Sequence, residues 1–255
     1  MIFIDTHTHL YDEQFNEDRI NIINQAIENN VQKMYMPNCD SNTIQGMLEL
    51  EKLFPSNCFA MMGLHPCYVK ENYKTELKLI QDWLTKRDFS AVGEIGLDYY
   101  WDTTYKKEQI ESFRTQIELA LHYKRPIVIH MRESTNDTVN IVREYSSQGL
   151  LAVFHCFTGS YETAQQIISM GHYLGIGGVL TYKNAHLPEV IKKIDLKHIL
   201  LETDSPYLSP TPYRGKRNES SYLIHIAQKL ADVKEISIEE LAAITTKNAD
   251  IFFRD

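Results

Sequence analysis

Histidines in this sequence fall at the ends of short apolar runs, where they could hold a divalent cation. His7 and His9 follow the run Ile2-Phe3-Ile4. Their side chains point the same way, because alternate residues of a strand share a face. Two imidazoles on one face can share one cation. Two solvated histidines at a strand end would leave the same local pattern, so this hypothesis depends on the rest of the chain.

Side chains of metal-ligand type follow other predicted strands in the same way. His65 lies just past the third strand, Glu94 at the end of the fourth, and His130 at the end of the fifth. His155 ends the sixth strand and Asp204 follows the eighth. Each alone has an ordinary explanation, such as a core histidine, a structural ion pair or a cap of the next turn. Their recurrence at one end of separate strands predicts a shared site.

The elements that must position these residues alternate between strand and helix along the whole chain. Parallel strands need crossover helices, so this alternation predicts a parallel sheet. Eight such units in 255 residues predict a (β/α)8 TIM barrel in a single domain, residues 1–255, with the site at the C-terminal ends of the strands. A doubly wound open sheet is the alternative. The strands predicted after the first span residues 31–37, 58–63, 90–93, 126–130, 151–155, 172–175 and 199–203.

The remaining histidines serve as a control. If histidines fell at the C-terminal ends of strands by chance, some of these should lie there too. Four of them, His122, His186, His198 and His225, fall in predicted helices or before strands, as surface or packing residues. His172 opens the seventh strand, at the opposite end of the barrel from the predicted site.

Composition limits the class of protein. The net charge of −8 argues against a protein that coats nucleic acid through a broad basic face. The four cysteines form no Cys-x-x-Cys pair and no disulfide framework, which indicates reduced thiols. The N-terminus does not read as a signal peptide, and no apolar stretch is long enough to cross a bilayer. We therefore expect a cytoplasmic protein that makes no membrane contact, and we expect a monomer.

The number of candidate ligands suggests two metal ions per chain with one carboxylate bridging them. The two predicted groups are His7, His9, Glu94 and Asp204 for one ion, and His130 and His155 with the second oxygen of Glu94 for the other. Such pairs, about 3.5–4 Å apart, are typical of hydrolases that act on phosphate esters. Asp204 could accept the proton of the attacking water as a general base. The ligand types suit Zn²⁺ or Mn²⁺ better than Mg²⁺ but leave the identity of the ion open.

These residues occur in motifs that resemble those of the TatD-related metal-dependent deoxyribonucleases, in the amidohydrolase superfamily. The resemblance runs nearly end to end and keeps the order and spacing of the motifs. The matching stretches are Asp5-Thr6-His7-Thr8-His9-Leu10, Gly63-Leu64-His65-Pro66, Val92-Gly93-Glu94-Ile95-Gly96-Leu97-Asp98-Tyr99, Ile129-His130-Met131-Arg132, His155-Cys156-Phe157-Thr158-Gly159, Leu201-Glu202-Thr203-Asp204-Ser205-Pro206 and Pro212-Tyr213-Arg214-Gly215-Lys216-Arg217-Asn218.

The resemblance implies a TIM barrel that hydrolyses phosphodiester bonds of DNA, as a 3′–5′ exonuclease that prefers single-stranded ends. It carries over the six metal ligands His7, His9, Glu94, His130, His155 and Asp204. It assigns His65 to phosphate recognition beside the metals, so that His65, Glu94 and Asp204 form the predicted catalytic group. Two alternatives stay open: a metal hydrolase of another ester or amide, such as misacylated tRNA, and a non-catalytic binding protein on the same scaffold.

Substrate contacts are predicted on the loops around the metals. Arg132, two residues after His130, could reach a phosphate, unless it pairs with a carboxylate such as Asp98 or Glu133. Residues that follow the eighth strand lie where barrels commonly bind phosphate. The predicted contacts there are Ser205, Arg214 and Asn218, with a solvated basic loop as the alternative for Arg214. The aromatic run 99–101 could stack unpaired bases or could simply pack. Glu202 reads as a supporting residue rather than a ligand.

Overall fold

Eight parallel strands form the centre of the computed structural model, which describes residues 1–254. The strands are β1 (Phe3–Asp5), β2 (Val31–Pro37), β3 (Cys58–Met61), β4 (Val92–Asp98), β5 (Ile127–Arg132), β6 (Ala152–Phe154), β7 (Tyr173–Ile176) and β8 (Ile199–Leu201). Neighbours in sequence are neighbours in space, as sheets β1-β2-β3 and β4-β5-β6-β7-β8. This order and the parallel pairing confirm the predicted strand–helix alternation.

Backbone hydrogen bonds close these two sheets into a barrel. Between β3 and β4, the amide of Gly93 donates to the carbonyl of Met62 at 3.1 Å. Between β8 and β1, the amide of Thr6 donates to Leu201 at 3.0 Å, and the amide of Asp204 donates to His7 at 2.9 Å. An open doubly wound sheet would leave these edges unpaired, so the TIM barrel prediction is confirmed and the alternative is wrong.

Helices surround the barrel because each has one apolar face. In α3, for example, the buried residues Leu77, Ile80 and Leu84 recur at helical spacing. Buried apolar residues of the strands and helices form one continuous core between the two layers. The helices are α1 (Arg19–Glu28), α2 (Ile44–Leu53), α3 (Tyr73–Lys86), α4 (Lys106–Tyr123), α5 (Thr135–Tyr145), α6 (Tyr161–Ser169), α7 (Leu187–Lys192), α8 (Leu223–Lys234) and α9 (Ile238–Phe253).

A second, smaller apolar cluster lies towards the N-terminal ends of the strands. Strand residues such as Ile4, Tyr35 and Val128 pack there against Phe252 and Phe253 of α9. The rings of Tyr35 and Phe253 stack with centroids 3.6 Å apart. The last helix therefore covers the end of the barrel opposite the predicted site.

The fourth strand is longer than predicted, and this changes the position of Glu94. It continues to Asp98, so Glu94 lies inside β4 rather than at its end. Gly96 reads as a strand breaker in the sequence, but it pairs with His130 of β5. A Cβ at Gly96 would lie 2.0 Å from the carbonyl oxygen of His130, so the close approach of these two strands requires glycine.

The histidines outside the predicted site lie away from the ligand-type residues. The side chain of His186 is 94% exposed, whereas His172 is fully buried just before β7. None of the helices within residues 1–254 has both the length and the apolar character that a membrane crossing requires.

His172 should make the fold sensitive to acid. Burial lowers the pKa of His172 from 6.5 to about 4. The fold therefore disfavours the charged form, so the full stability of the fold is present above pH 6.5 and is lost as the pH falls towards 4. Between pH 7 and pH 5 this one group should reduce the free energy of unfolding by about 2 kcal/mol.

Urea denaturation at the two pH values checks this expectation. His172→Gln should lose less stability than the wild type on acidification, by about that amount. The control is His186→Gln, which removes an exposed histidine and should behave like the wild type. An equal acid sensitivity of His172→Gln and the wild type would show that His172 is not the responsible group.

Candidate metal centre

Four polar atoms, one from β4 and three from the segments that follow β1 and β8, converge at the C-terminal end of the barrel. The Nε2 atoms of His7 and His9 lie 3.3 Å apart. Glu94 Oε2 lies 3.1 Å from His7 Nε2 and 3.7 Å from His9 Nε2. Asp204 Oδ1 lies 3.8 Å from the first of these nitrogens and 3.4 Å from the second. The two imidazoles and two carboxylates thus enclose one small volume.

The spacing of these atoms fits a bound divalent cation. Tetrahedral ligand atoms that lie about 2.0–2.2 Å from an ion are about 3.3–3.6 Å from one another. The five distances just given run from 3.1 to 3.8 Å. Nitrogen and carboxylate donors of this kind bind zinc and manganese well. His7, His9, Glu94 and Asp204 therefore form a set that could hold one ion.

The other oxygen of Glu94 faces a second group of imidazoles. Glu94 Oε1 lies 2.8 Å from His130 Nδ1, 3.2 Å from His155 Nε2 and 3.3 Å from His65 Nε2. Glu94 is only 2% exposed, so a carboxylate without such partners would be strongly destabilising there. Because its two oxygens point to different groups of histidines, Glu94 could bridge two ions.

The end of β8 is held in place by β1, and this positions Asp204. The buried carboxylate of Asp5 accepts hydrogen bonds from the Thr203 amide at 2.9 Å and the Thr203 hydroxyl at 2.6 Å. Asp204 itself has a left-handed backbone, with φ of 57°, which aspartate tolerates better than most residues. The segment after β8 therefore turns at Asp204 and directs its carboxylate towards His7 and His9.

His9 and His155 each have their second ring nitrogen held by another side chain. His9 Nδ1 lies 2.9 Å from the hydroxyl of Tyr11, and His155 Nδ1 lies 3.2 Å from Glu202 Oε1. Such partners fix the tautomer and the orientation of metal-ligating imidazoles. A Cβ at Gly175 would lie 2.2 Å from Glu202 Oε2, so glycine there leaves room for the Glu202 carboxylate.

His130 lies between two carboxylates, and the second of them was missed from the sequence. Its Nε2 lies 2.8 Å from Asp98 Oδ2, while its Nδ1 faces Glu94. If Asp98 accepts the Nε2 proton, the Nδ1 lone pair is the one directed to the centre. A signal existed, because Asp98 is four residues after Glu94 and so shares its face of the strand. Tyr11 was also missed, and it lies in a turn after β1, where strand alternation gives no such signal.

His65 is arranged as a hydrogen-bond donor rather than as a ligand. Its Nδ1 accepts from the amide of Cys67 at 3.0 Å, so the neutral ring carries its proton on Nε2. That nitrogen faces Glu94 and the cavity. The phosphate-recognition role that the resemblance implies for His65 stays a prediction, and the direction of Nε2 is compatible with it.

Charges in the site keep its carboxylates ionised. Burial by itself would raise the pKa of Glu94, but the adjacent histidines His65, His155 and His7 hold it well below its ordinary value. Burial likewise opposes ionisation of Asp204, and the hydrogen bond from His9 with the nearby imidazoles outweighs it and lowers the pKa. Ionised carboxylates are the form that binds a cation.

A cavity of about 900 Å³ opens onto these residues. Its wall includes five of the predicted metal ligands, namely His9, Glu94, His130, His155 and Asp204, and also His65 and Arg132. His7 lies behind them and is fully buried. A substrate of nucleotide size can therefore reach the ligand-type atoms from solvent.

Of the five predicted substrate contacts, His65 and Arg132 line the cavity and the other three are placed elsewhere. Ser205 is buried with its hydroxyl 2.6 Å from that of Thr8. Asn218 is also buried, and its side-chain amide donates to the carbonyls of Thr203 and Tyr207 at 2.7 and 2.6 Å.

These contacts explain why Asn218 and Ser205 do not face the cavity. Both side chains have their hydrogen-bonding groups engaged within the fold, where they hold the loop after β8 in place. The exposed guanidinium of Arg214 instead lies over the ring of Tyr182 at 3.6 Å. The predicted cluster of contacts after the eighth strand is thus not assembled at the cavity.

Comparison with known proteins gives one family for this fold and site. The profile of the family described as TatD related DNase matches residues 4–254. An uncharacterized metal-dependent hydrolase of Bacillus subtilis, YabD, is 40% identical over 255 residues, covering all of this chain and 99% of the relative. The crystal structure of the TatD homologue YjjV of Escherichia coli has a TM-score of 0.93 at 27% identity, covering 99% of this chain and 98% of that chain.

A TatD family hydrolase of Entamoeba histolytica is also similar in structure. Its TM-score is 0.87 at 25% identity, with 99% of this chain and 98% of that chain covered. The similarity in all these comparisons extends over almost the full length of both chains, so it includes every strand that carries a ligand-type residue.

Loss of the shared carboxylate should impair both groups of ligands. We expect Glu94→Gln to weaken binding of divalent ions at each group by more than about 100-fold, because a neutral amide replaces the one charged side chain that contacts both. Asp204→Asn should weaken the first group only. Ion content after dialysis, measured by mass spectrometry, and calorimetric titration with Zn²⁺ or Mn²⁺ check both expectations.

Glu189→Gln is the matched control, since the side chain of Glu189 is 83% exposed on α7. It should bind ions like the wild type. Circular dichroism would show that each variant is folded. Wild-type ion content and affinity in folded Glu94→Gln would contradict the assignment of Glu94 as a shared ligand.

Proposed function

The chain belongs to the TatD-related DNase family of metal-dependent hydrolases, and from this we propose that it is a phosphodiesterase that shortens DNA from single-stranded 3′ ends. The observation that supports the proposal most directly is the shared carboxylate of Glu94. With one oxygen on each group of histidines, it resembles the bridging ligand of two-ion phosphodiesterases.

We assign two divalent ions to the centre, held by His7, His9, Glu94 and Asp204 on one side and by Glu94, His130 and His155 on the other. The donor types favour Zn²⁺ or Mn²⁺ and also permit Mg²⁺. When bound, such ions supply an acidified water and neutralise the charge that develops on the phosphate.

The protein's own residues then supply proton transfer and orientation. Asp204 is 13% exposed and faces the cavity, so it can accept the proton of the attacking water. His65, with its proton on Nε2, can donate to a non-bridging phosphate oxygen. Arg132 has no ion pair with any described carboxylate and can contact the same phosphate or its neighbour.

The depth of the site supports a single-stranded end as substrate. Glu94 and His155 are 2% and 7% exposed, so a scissile phosphate must enter the barrel mouth to reach them. A single strand can pass its terminal nucleotide into a cavity of this size, whereas a duplex must first unpair. The preference for the 3′ end is taken from the family resemblance.

A cleavage assay on end-labelled DNA tests the proposal. The metal-stripped protein would receive Mg²⁺, Mn²⁺ or Zn²⁺ singly, with single-stranded and duplex substrates labelled at the 5′ end. We expect a ladder that shortens from the 3′ end, formed faster on single strands. Glu94→Gln should reduce the rate by at least about 1,000-fold, because the metal chemistry is lost.

Other outcomes would point to specific alternatives. Glu189→Gln is the matched control and should cleave like the wild type. Cleavage of other phosphate esters, carboxylic esters or amides, with DNA left intact, would overturn the substrate assignment and keep the metal hydrolase. Failure to hydrolyse anything while ions are bound would favour a binding protein on this scaffold.

A further inference from the structure

An aromatic side chain stands unusually exposed at the mouth of the cavity. Trp101, in the loop after β4, is 68% exposed and lines the cavity wall. Large aromatic rings normally bury most of their area on folding. Its neighbour Tyr100 is 54% exposed, and the two rings meet edge to face with centroids 4.9 Å apart.

The adjacent Tyr99 differs from Tyr100 and Trp101 because its side chain is packed into the fold. Tyr99 is half-buried, and its hydroxyl donates to Asp137 at 2.9 Å. It belongs to the packing between the β4 loop and α5. Within residues 1–254 the indole of Trp101 makes no comparable hydrogen bond, so its exposed position needs another explanation.

The loop that carries Trp101 is tied to the metal centre through one residue. Asp98 Oδ1 accepts hydrogen bonds from the amides of Tyr100 and Trp101 at 2.9 and 3.1 Å. Its other oxygen, Oδ2, holds His130 at 2.8 Å. Asp98 thereby fixes the position of both aromatic residues relative to the candidate ligand His130.

Arg132 completes a stacked group. Its guanidinium lies 3.8 Å over the ring of Tyr100 and 5.2 Å from that of Trp101. His130 and Arg132 are two residues apart in β5, so their side chains lie on the same face of the strand. The guanidinium of Arg132 is therefore the next side chain on that face after the candidate ligand His130. We call the guanidinium and the two exposed rings together the aromatic platform (Tyr100, Trp101 and Arg132).

The charge of the cavity explains why such a platform is needed. Among the described residues that line it, five are carboxylates and Arg132 is the single lysine or arginine. Away from the metal centre the wall offers a nucleic acid only this one basic side chain, so phosphate contacts outside the centre would contribute little affinity. Stacking of bases on aromatic rings is independent of charge and of sequence.

We propose that the aromatic platform is a nucleobase-stacking subsite, with the exposed face of Trp101 binding an unpaired base of the strand whose phosphate lies at the metal centre. This inference rests on the proposed nuclease function and specifies its substrate. It requires an unpaired base, which explains a preference for single strands, and it accepts any base because every base has a π face.

Tryptophan fluorescence tests stacking without any need for cleavage. The chain has two tryptophans, Trp83 and Trp101, so in Trp83→Phe the emission reports on Trp101 alone. A phosphorothioate-linked oligothymidylate, which resists hydrolysis, should quench this emission on binding to the metal-loaded protein. The same oligomer with abasic sites in place of its terminal nucleotides should quench little.

Steady-state kinetics then test the contribution to catalysis by a double-mutant cycle. For single-stranded DNA we expect Trp101→Ala to raise KM about 10- to 100-fold with a small change in kcat. Trp101→Phe should keep most of the wild-type affinity, because phenylalanine also has a ring that can stack. Trp83 is on α3 and does not line the cavity, so Trp83→Phe is the matched control and should leave KM unchanged. On an abasic end the wild type should already have the raised KM, and Trp101→Ala should add no further loss.

The results separate failure of this inference from failure of the nuclease proposal. Equal effects of Trp101→Ala on intact and abasic ends, or equal quenching by both oligomers, would overturn the stacking subsite even if DNA is cleaved. Base-dependent quenching without hydrolysis would support the subsite and overturn the nuclease. Absence of both quenching and hydrolysis would overturn both.

Discussion

The centre of this protein depends on the burial of one carboxylate among imidazoles. Glu94 is almost inaccessible to water, and an isolated charge in that position would be prohibitive. His7 and His9 on one oxygen, and His65, His130 and His155 on the other, compensate for it. The imidazoles depend on Glu94 in turn. Protonated imidazoles this close together would repel one another, so they need the carboxylate among them, or a bound cation in place of their protons.

The barrel makes this arrangement possible by bringing distant parts of the chain to one place. His7 and Asp204 are almost 200 residues apart, yet the amide of Asp204 donates to the carbonyl of His7. Closure of the barrel between β8 and β1 is thus also the step that completes the first group of ligands. Asp5 reinforces the same seam through Thr203, which links the stability of the closed barrel to the geometry of the site.

Asp98 gives the site a second layer of organisation. One oxygen holds the ring of His130 and the other holds the loop that carries Tyr100 and Trp101. A change at this residue would therefore reach both the candidate ligands and the rim of the cavity. The same principle applies at His155, where Glu202 holds both the imidazole and the amide of Cys156, and glycine at position 175 leaves the room for it.

The sequence by itself determined the strand–helix alternation, the barrel and the ligand-type residues, because these follow from local patterns. Apolar runs mark the strands, and ligand-type side chains such as His130 and His155 stand at or near their C-terminal ends. Proximity of strand ends in a barrel then needs no further information. Strand length was less accessible, since Gly96 looks like a breaker until the approach of β5 is known.

The tertiary structure alone decided which side chains face the cavity and which support others. Ser205 and Asn218 follow the eighth strand as predicted, but Ser205 bonds to Thr8 and Asn218 to carbonyls of the segment after β8. Arg132 contacts the rings of Tyr100 and Trp101 rather than a carboxylate. The physical reason is that a polar group takes the partner that folding brings within about 3 Å, and that partner is often remote in sequence.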